Sequence, residues 1–288
     1  MASLLFVFLL GYIFKKIKGD YSKEIIEIIT NIVMPIFVFY YITKLEITPK
    51  LLIISAITLL SISLGIIISF IISLILKLDK PSIGALMLVT SFGSSSFVGI
   101  PIIKALYPSK FLTYIIFYGQ TNFLFFLIFG SIIISLTSPL NKKNDLNFIK
   151  KLLKTPTFDA FLFALILKPL KLNVDFLKIV ADSLIFLAIL TIGMRFEFNT
   201  LFKNIKIAFL VNFLKMFLIP IIVFLIVKHF LGINTALKIA IIASAMPSMA
   251  LAVIYGLQAK LKEEILISVM SLGILLSFIW IPIFTKII

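Results

Sequence analysis

Across its 288 residues the chain has no cysteine and a single histidine, His229. Without cysteine there is no disulfide framework, no thiol chemistry and no cysteine-based metal site. His229 has neither a second histidine nor a close acidic cluster, so no metal site is expected. A serine–histidine hydrolase would need it beside Ser94, Ser95 or Ser96, yet it falls at the end of an apolar run. No glycine-rich loop precedes a Lys-Ser/Thr pair, which excludes a phosphate-binding loop and ATP as driving force. Acidic residues are scarce, 12 against 27 Lys+Arg, for a net charge of +15. The lysines lie between apolar runs and not on one face, so nucleic acid is not the expected partner. No stretch reads as a soluble domain; the longest polar run, Ser138 to Thr157, reads as a loop.

What the chain has in abundance is apolar surface. It is 61% hydrophobic with mean hydropathy +1.22, where soluble domains hold about 45–50%. Lipid is therefore the expected surrounding, and an all-α integral membrane protein the expected fold class. The apolar runs predict ten spans, at 2–17, 25–43, 51–76, 82–106, 111–137, 157–172, 177–194, 206–231, 236–258 and 263–286. The first run is read as a span and not a signal peptide, because Lys15, Lys16 and Lys18 follow it. The polar loop divides the chain into residues 1–137, a loop at 138–156, and residues 157–288. Five spans in each part make the second part enter the bilayer in the opposite sense, the condition for two inverted repeats. Most basic residues fall in the odd-numbered loops, among them Lys15, Lys77, Lys142, Lys203 and Lys260. The positive-inside rule then puts those loops in the cytoplasm and both termini outside.

Two apolar runs are interrupted at matching places, the fourth span of each repeat. One reads SFGSSSFVGIPI, Ser91 to Ile102; the other reads ASAMPSMALAVIYG, Ala243 to Gly256. Proline removes a backbone donor and clashes with the preceding turn. Broken backbone at membrane depth is tolerated only beside protein or a wet cavity. Paired breaks therefore point to a transporter's substrate site. The half-helices that restart are expected near Gly99 to Ile102 and near Ser248 to Ala250, each with a positive end suited to an anion. The substrate-binding candidates here are Gly93, Ser94, Ser95, Ser96, Gly99, Pro101, Pro247 and Ser248. Small residues and proline also serve plain helix packing, the alternative reading of either segment taken alone.

Other polar groups sit within apolar runs. Lys215 lies well inside span eight, where a charge is costly and rarely faces lipid. It reads as a partner for a substrate carboxylate, as a cation that replaces a bound proton or sodium electrostatically, or as a structural charge paired with Asp182 or with carbonyls of a broken helix. Gln120, Thr121 and Asn122 form a polar step in span five, as substrate contacts or interhelical hydrogen bonds. Asn31 and Asn212 read as structural, and Lys104 as reaching outward to the interface.

At these residues the chain resembles the auxin efflux carrier family, which includes bacterial malate permeases. GSSSFVGIP, Gly93 to Pro101, is similar to that family's fourth-span signature, and AMPSMALAV, Ala245 to Val253, to its ninth-span Met-Pro signature. Met34-Pro35, Thr155-Pro156, LAILTIGM at Leu187 to Met194, and Lys215 with Pro220 extend the similarity along the chain. The resemblance implies ten spans, both termini outside and two crossed broken helices. It implies a scaffold of spans one, two, six and seven, through which a homodimer would form, and a moving unit of the other six. Two amides of the family signatures are absent: their positions hold Ser94 and Leu251.

The function expected is a secondary active transporter for a small organic anion, a carboxylate, in the plasma membrane of a prokaryote. No cofactor and no catalytic residue are expected, and a coupling ion, proton or sodium, is not readable. Two alternatives are a sodium-coupled organic-anion symporter of the bile-acid type and a non-transporting membrane receptor.

Overall fold

A computed structural model describes residues 2–44, 49–108, 111–139, 156–170, 172–195 and 204–288. The lysine-rich loop at 140–155 lies outside the described residues, as do Phe196 to Lys203. Within them the fold is helical. In chain order the helices are α1 (Ala2–Lys18), α2 (Ser22–Thr43), α3 (Pro49–Ile75), α4 (Lys80–Ser91), α5 (Ile100–Leu106), α6 (Leu112–Thr137), α7 (Pro156–Leu167), α8 (Lys178–Arg195), α9 (Ile205–Leu231), α10 (Thr235–Ser244), α11 (Ala250–Gln258) and α12 (Glu263–Ile287).

Five helical stretches are long and apolar enough to cross a membrane: Ser22–Thr43, Leu51–Ile75, Leu112–Thr137, Ile205–Leu231 and Glu263–Ile287. Their outer surfaces carry large apolar side chains that water would penalise. Leu52 is 74% exposed and Phe230 75%. The other five expected spans fall on shorter helices, α1, α7 and α8, and on two stretches interrupted part-way. α4 has 12 residues and α10 has 10. At 1.5 Å per residue neither reaches across a hydrocarbon layer of about 30 Å.

α4 and α10 begin alike. Asp79 accepts from the Ser82 N–H, and Asn234 accepts from the Leu237 N–H at 3.1 Å. Each is a side-chain cap three residues ahead of its donor, closing the first turn. Each helix then stops at its break.

Proline shapes the other helices in a repeated way. Met34-Pro35, Ile100-Pro101 and Ile219-Pro220 each follow a single π-helical turn, at Ile29–Val33, Ser95–Gly99 and Leu214–Leu218. The wide turn spans the residue four before each proline, whose carbonyl the proline ring would strike in a regular helix. One such carbonyl, that of Met216, is freed by Pro220 and accepts from the Trp280 indole N–H at 2.6 Å. A fourth π-turn, Phe126–Gly130, has no proline after it; nothing in the packing accounts for it.

The helices pack in two sets. α1 lies along α8, and α2 along α7 and α8. α3 lies along α4, α6 and α10, and α9 along α12. The sets touch chiefly where the Ser95–Gly99 turn meets α8 and where α2 meets α6. The α1–α8 contact is backbone on backbone. A Cβ on Gly11 would stand 2.1 Å from the Leu190 carbonyl oxygen, and one on Gly193 would stand 2.0 Å from that of Phe8. Only glycine permits that approach, the small-residue packing usual between membrane helices.

Candidate substrate site at the paired helix breaks

The two breaks meet. Gly93 and Ser248 form an antiparallel bridge. The Ser94 N–H donates to the Pro247 carbonyl at 2.7 Å, and the Met249 N–H donates to the Phe92 carbonyl at 2.9 Å. Pro247 has no N–H, so here it can only accept. Phe92 and Met249 are extended, with φ −102°, ψ 124° and φ −68°, ψ 125°. Backbone groups released by ending two helices are thus satisfied against each other, as burial requires.

Side chains take three further carbonyls at the end of α4 and just beyond it. The Ser248 hydroxyl donates to Val89 at 2.7 Å, Lys215 Nζ to Thr90 at 2.8 Å, and Asn122 Nδ2 to Gly93 at 3.0 Å. Their donors come from the second break, α9 and α6. The end of α10 is closed differently, within its own segment. There the Ser244 hydroxyl donates to Ile241 at 2.6 Å and the Ala245 N–H to Ile242 at 3.1 Å.

After the first break the chain becomes helical again at Ser95, not at Gly99 to Ile102 as the sequence suggests. The π-turn absorbs Pro101, so the proline does not mark a helix start. The Val98 and Gly99 N–H groups both donate to the Ser94 carbonyl, at 3.1 and 3.0 Å. The N–H groups of Ser95 to Phe97 accordingly head the turn without acceptors inside it. After the second break the helix begins at Ala250, where the sequence places it.

A cavity of about 330 Å³ lies against this crossing. Its wall includes Gly93, Ser94 and Ser95 from the first break, Gly119, Gln120 and Asn122 from α6, and Met249, Leu251 and Ile254 around the start of α11. Thr30, Asn31 and Met34 of α2 face it from the other helix set. It extends to Ile26, Thr157 and Gln258. Among the described residues its wall holds amides, hydroxyls and apolar groups and no lysine, arginine, aspartate or glutamate. What these residues offer an anion is the helix starts at Ser95 and Ala250, and hydrogen bonds.

Of the candidates read from sequence, the structure brings Gly93, Ser94, Ser95, Gln120 and Asn122 into one wall. Pro247 and Ser248 hold the crossing from behind and do not line the cavity. Gly99 lies against Ile115 and Met246, away from it. Pro101 is buried in α5, outside the wall. The side chain of Ser96 lies outside the described parts. Lys215 is buried, 2% exposed, and takes the carbonyl partner and not Asp182. Asp182 accepts instead from the Tyr41 hydroxyl at 3.2 Å and pairs with Lys104 at 3.7 Å. Thr121 donates to Phe117, and Asn212 ties Ala208 to Val269, so both bridge or brace helices.

Asn31, for which the sequence favours a structural role over a functional one, lies on the cavity wall. The missed signal was local: it stands four residues before Pro35, inside a π-turn of the kind that precedes Pro101.

The family model for membrane transport proteins matches residues 1–285. The chain belongs to this membrane transport protein family. It is the auxin efflux carrier family whose signatures the two breaks resemble. An uncharacterized transporter of Methanothermobacter thermautotrophicus is similar to the chain, 22% identical over 295 residues, 98% of this chain and 95% of that one. The protein is thus a multi-pass membrane transport protein and not an enzyme. The transporter's cavity sits where its two interrupted helices cross.

Proposed function

We propose that this transporter moves a small organic anion, a carboxylate, by alternating access around the crossed breaks. One observation carries the reading: residues from the first turns of both restarting helices, Ser95 and Leu251, border the same cavity. Two positive helix ends converge there, beside the Gln120 amide and the Ser94 hydroxyl. An uncharged wall suits a solute that must also leave, since a fixed lysine would hold a carboxylate too long.

The interrupted stretches complete ten crossings, five in each of two inverted repeats. The capped starts of α4 and α10 and the antiparallel meeting of their ends support that symmetry. The helix set α1, α2, α7 and α8 is the scaffold, a surface through which two copies would associate. The rest is the moving unit. The thin contact between the sets, with the cavity between α2 and the breaks, fits such a division. The membrane is a prokaryotic plasma membrane with both termini outside. The end of the cavity bordered by Ile26, Thr157 and Gln258 is the one this reading assigns to the cytoplasm.

The test is a thermal-shift screen of purified protein against mono- and dicarboxylates and their neutral amides, since a ligand for the folded state raises its stability. A carboxylate is expected to stabilise where its amide does not. In Gln120→Leu the Kd for that carboxylate is expected to rise about tenfold, the loss of one hydydrogen bond worth about 1.4 kcal/mol. Equal response to acids and amides would remove the carboxylate from the proposal.

A further inference from the structure

We propose that the Lys215 ammonium is the resident cation of the crossing. It stands against the end of α4 where a bound sodium or potassium ion would otherwise be needed, and it frees the crossing from dependence on such an ion.

A helix end at membrane depth is a problem of charge. The C-terminus of a helix carries about half a negative charge on its unpaired carbonyls. α4 ends inside the protein, with Thr90 and Ser91 1% and 2% exposed, so no water screens that end. The carbonyls of Val89, Thr90, Phe92 and Gly93 gather there, each accepting from one protein donor, and a carbonyl oxygen keeps a second lone pair with which it can face a cation. Lys215 supplies the positive charge, from a different helix. Its ammonium donates to the Thr90 carbonyl at 2.8 Å. No carboxylate among the described residues pairs with it. A buried, unpaired charge is costly, so an interaction with the helix end is what compensates it.

The contrast with α10 locates the device. That helix end is closed by Ser244 and by its own backbone turn, and no hydrogen bond from a lysine or arginine to it is seen among the described residues. Lys215 also lies in the π-turn Leu214–Leu218 ahead of Pro220, one of the three that precede a proline. The same proline that widens α9 places the lysine's turn against α4.

The test compares Lys215→Ala, Lys215→Met and the unaltered protein in choline, sodium, potassium and n-propylammonium chloride at constant ionic strength. Melting temperature is the first readout and uptake the second. Unaltered protein should melt alike in all four salts. Lys215→Ala, which leaves room beside Thr90, should melt lower in choline and recover most of the loss in n-propylammonium or sodium. Lys215→Met fills the space without charge and should stay low in every salt. A Lys215→Met protein as stable and active as the unaltered one would overturn the proposal. So would a Lys215→Ala protein that no cation rescues. Should Lys215→Ala fail to fold, the unaltered protein still decides: a rise in melting temperature specific to sodium or potassium contradicts a resident cation. The melting arms involve no substrate, so their failure is separate from a failure of the carboxylate reading.

Discussion

Asn122→Leu should reduce uptake to near background while the protein still inserts in the membrane. Asn122 is 2% exposed, and its Nδ2 donates to the Gly93 carbonyl at the point where the two breaks pair. Leucine keeps the branched four-atom outline of the side chain while removing its polar groups. The Gly93 carbonyl, however, is left buried with its side-chain donor gone, which costs about 1–3 kcal/mol. Gly93 also pairs with Ser248 and borders the cavity, so the loss falls on both the crossing and the binding wall. Asn122→Asp should be worse, because a carboxylate there faces a carbonyl and buries a charge. Uptake in proteoliposomes and melting temperature check both variants. Uptake by Asn122→Leu equal to that of the unaltered protein would separate the amide from transport.

Gly193→Val should be the most destabilising single change in the α1–α8 contact. Even one Cβ at this position would stand 2.0 Å from the Phe8 carbonyl oxygen and 3.1 Å from the Tyr12 nitrogen. Those are backbone atoms and cannot swing away, so the helices must separate along their length. Overpacking of this kind costs about 3 kcal/mol or more, a fall in Tm of roughly 6–12 °C for a chain of this size. Gly93→Ala is the control. A Cβ there meets nothing closer than 3.6 Å, so the fold should hold although the cavity gains a methyl group. A Gly193→Val protein that melts with the unaltered one would mean that α1 and α8 do not lie so close.

Much of this arrangement was legible in the chain. Gly93, Ser94, Pro247 and Ser248 marked the breaks because their residue types cannot be explained by lipid contact. Helix extents followed from apolar run length, and α2, α6, α9 and α12 lie close to where that length puts them. The restart of the helix did not follow, because proline reads as a helix start and a π-turn lets it sit one turn further in. The partner of Lys215 was open between Asp182 and a helix-end carbonyl. Both lie far away in sequence, and packing alone brings α4 to α9. The close approach at Gly11 and Gly193 was not legible, since it depends on which helix faces which.

The central claim is that an anion binds at the crossing, in a cavity reached from the lysine-rich face. Because the chain has no cysteine, a single one at Leu251, on the cavity wall, is a reporter without background from the protein itself. The measurement is labelling of Leu251→Cys by a membrane-impermeant thiol reagent in inside-out and right-side-out vesicles, with and without the stabilising carboxylate. Labelling in inside-out vesicles that the carboxylate blocks is the expected result. Labelling indifferent to every carboxylate, or confined to right-side-out vesicles, would contradict the account.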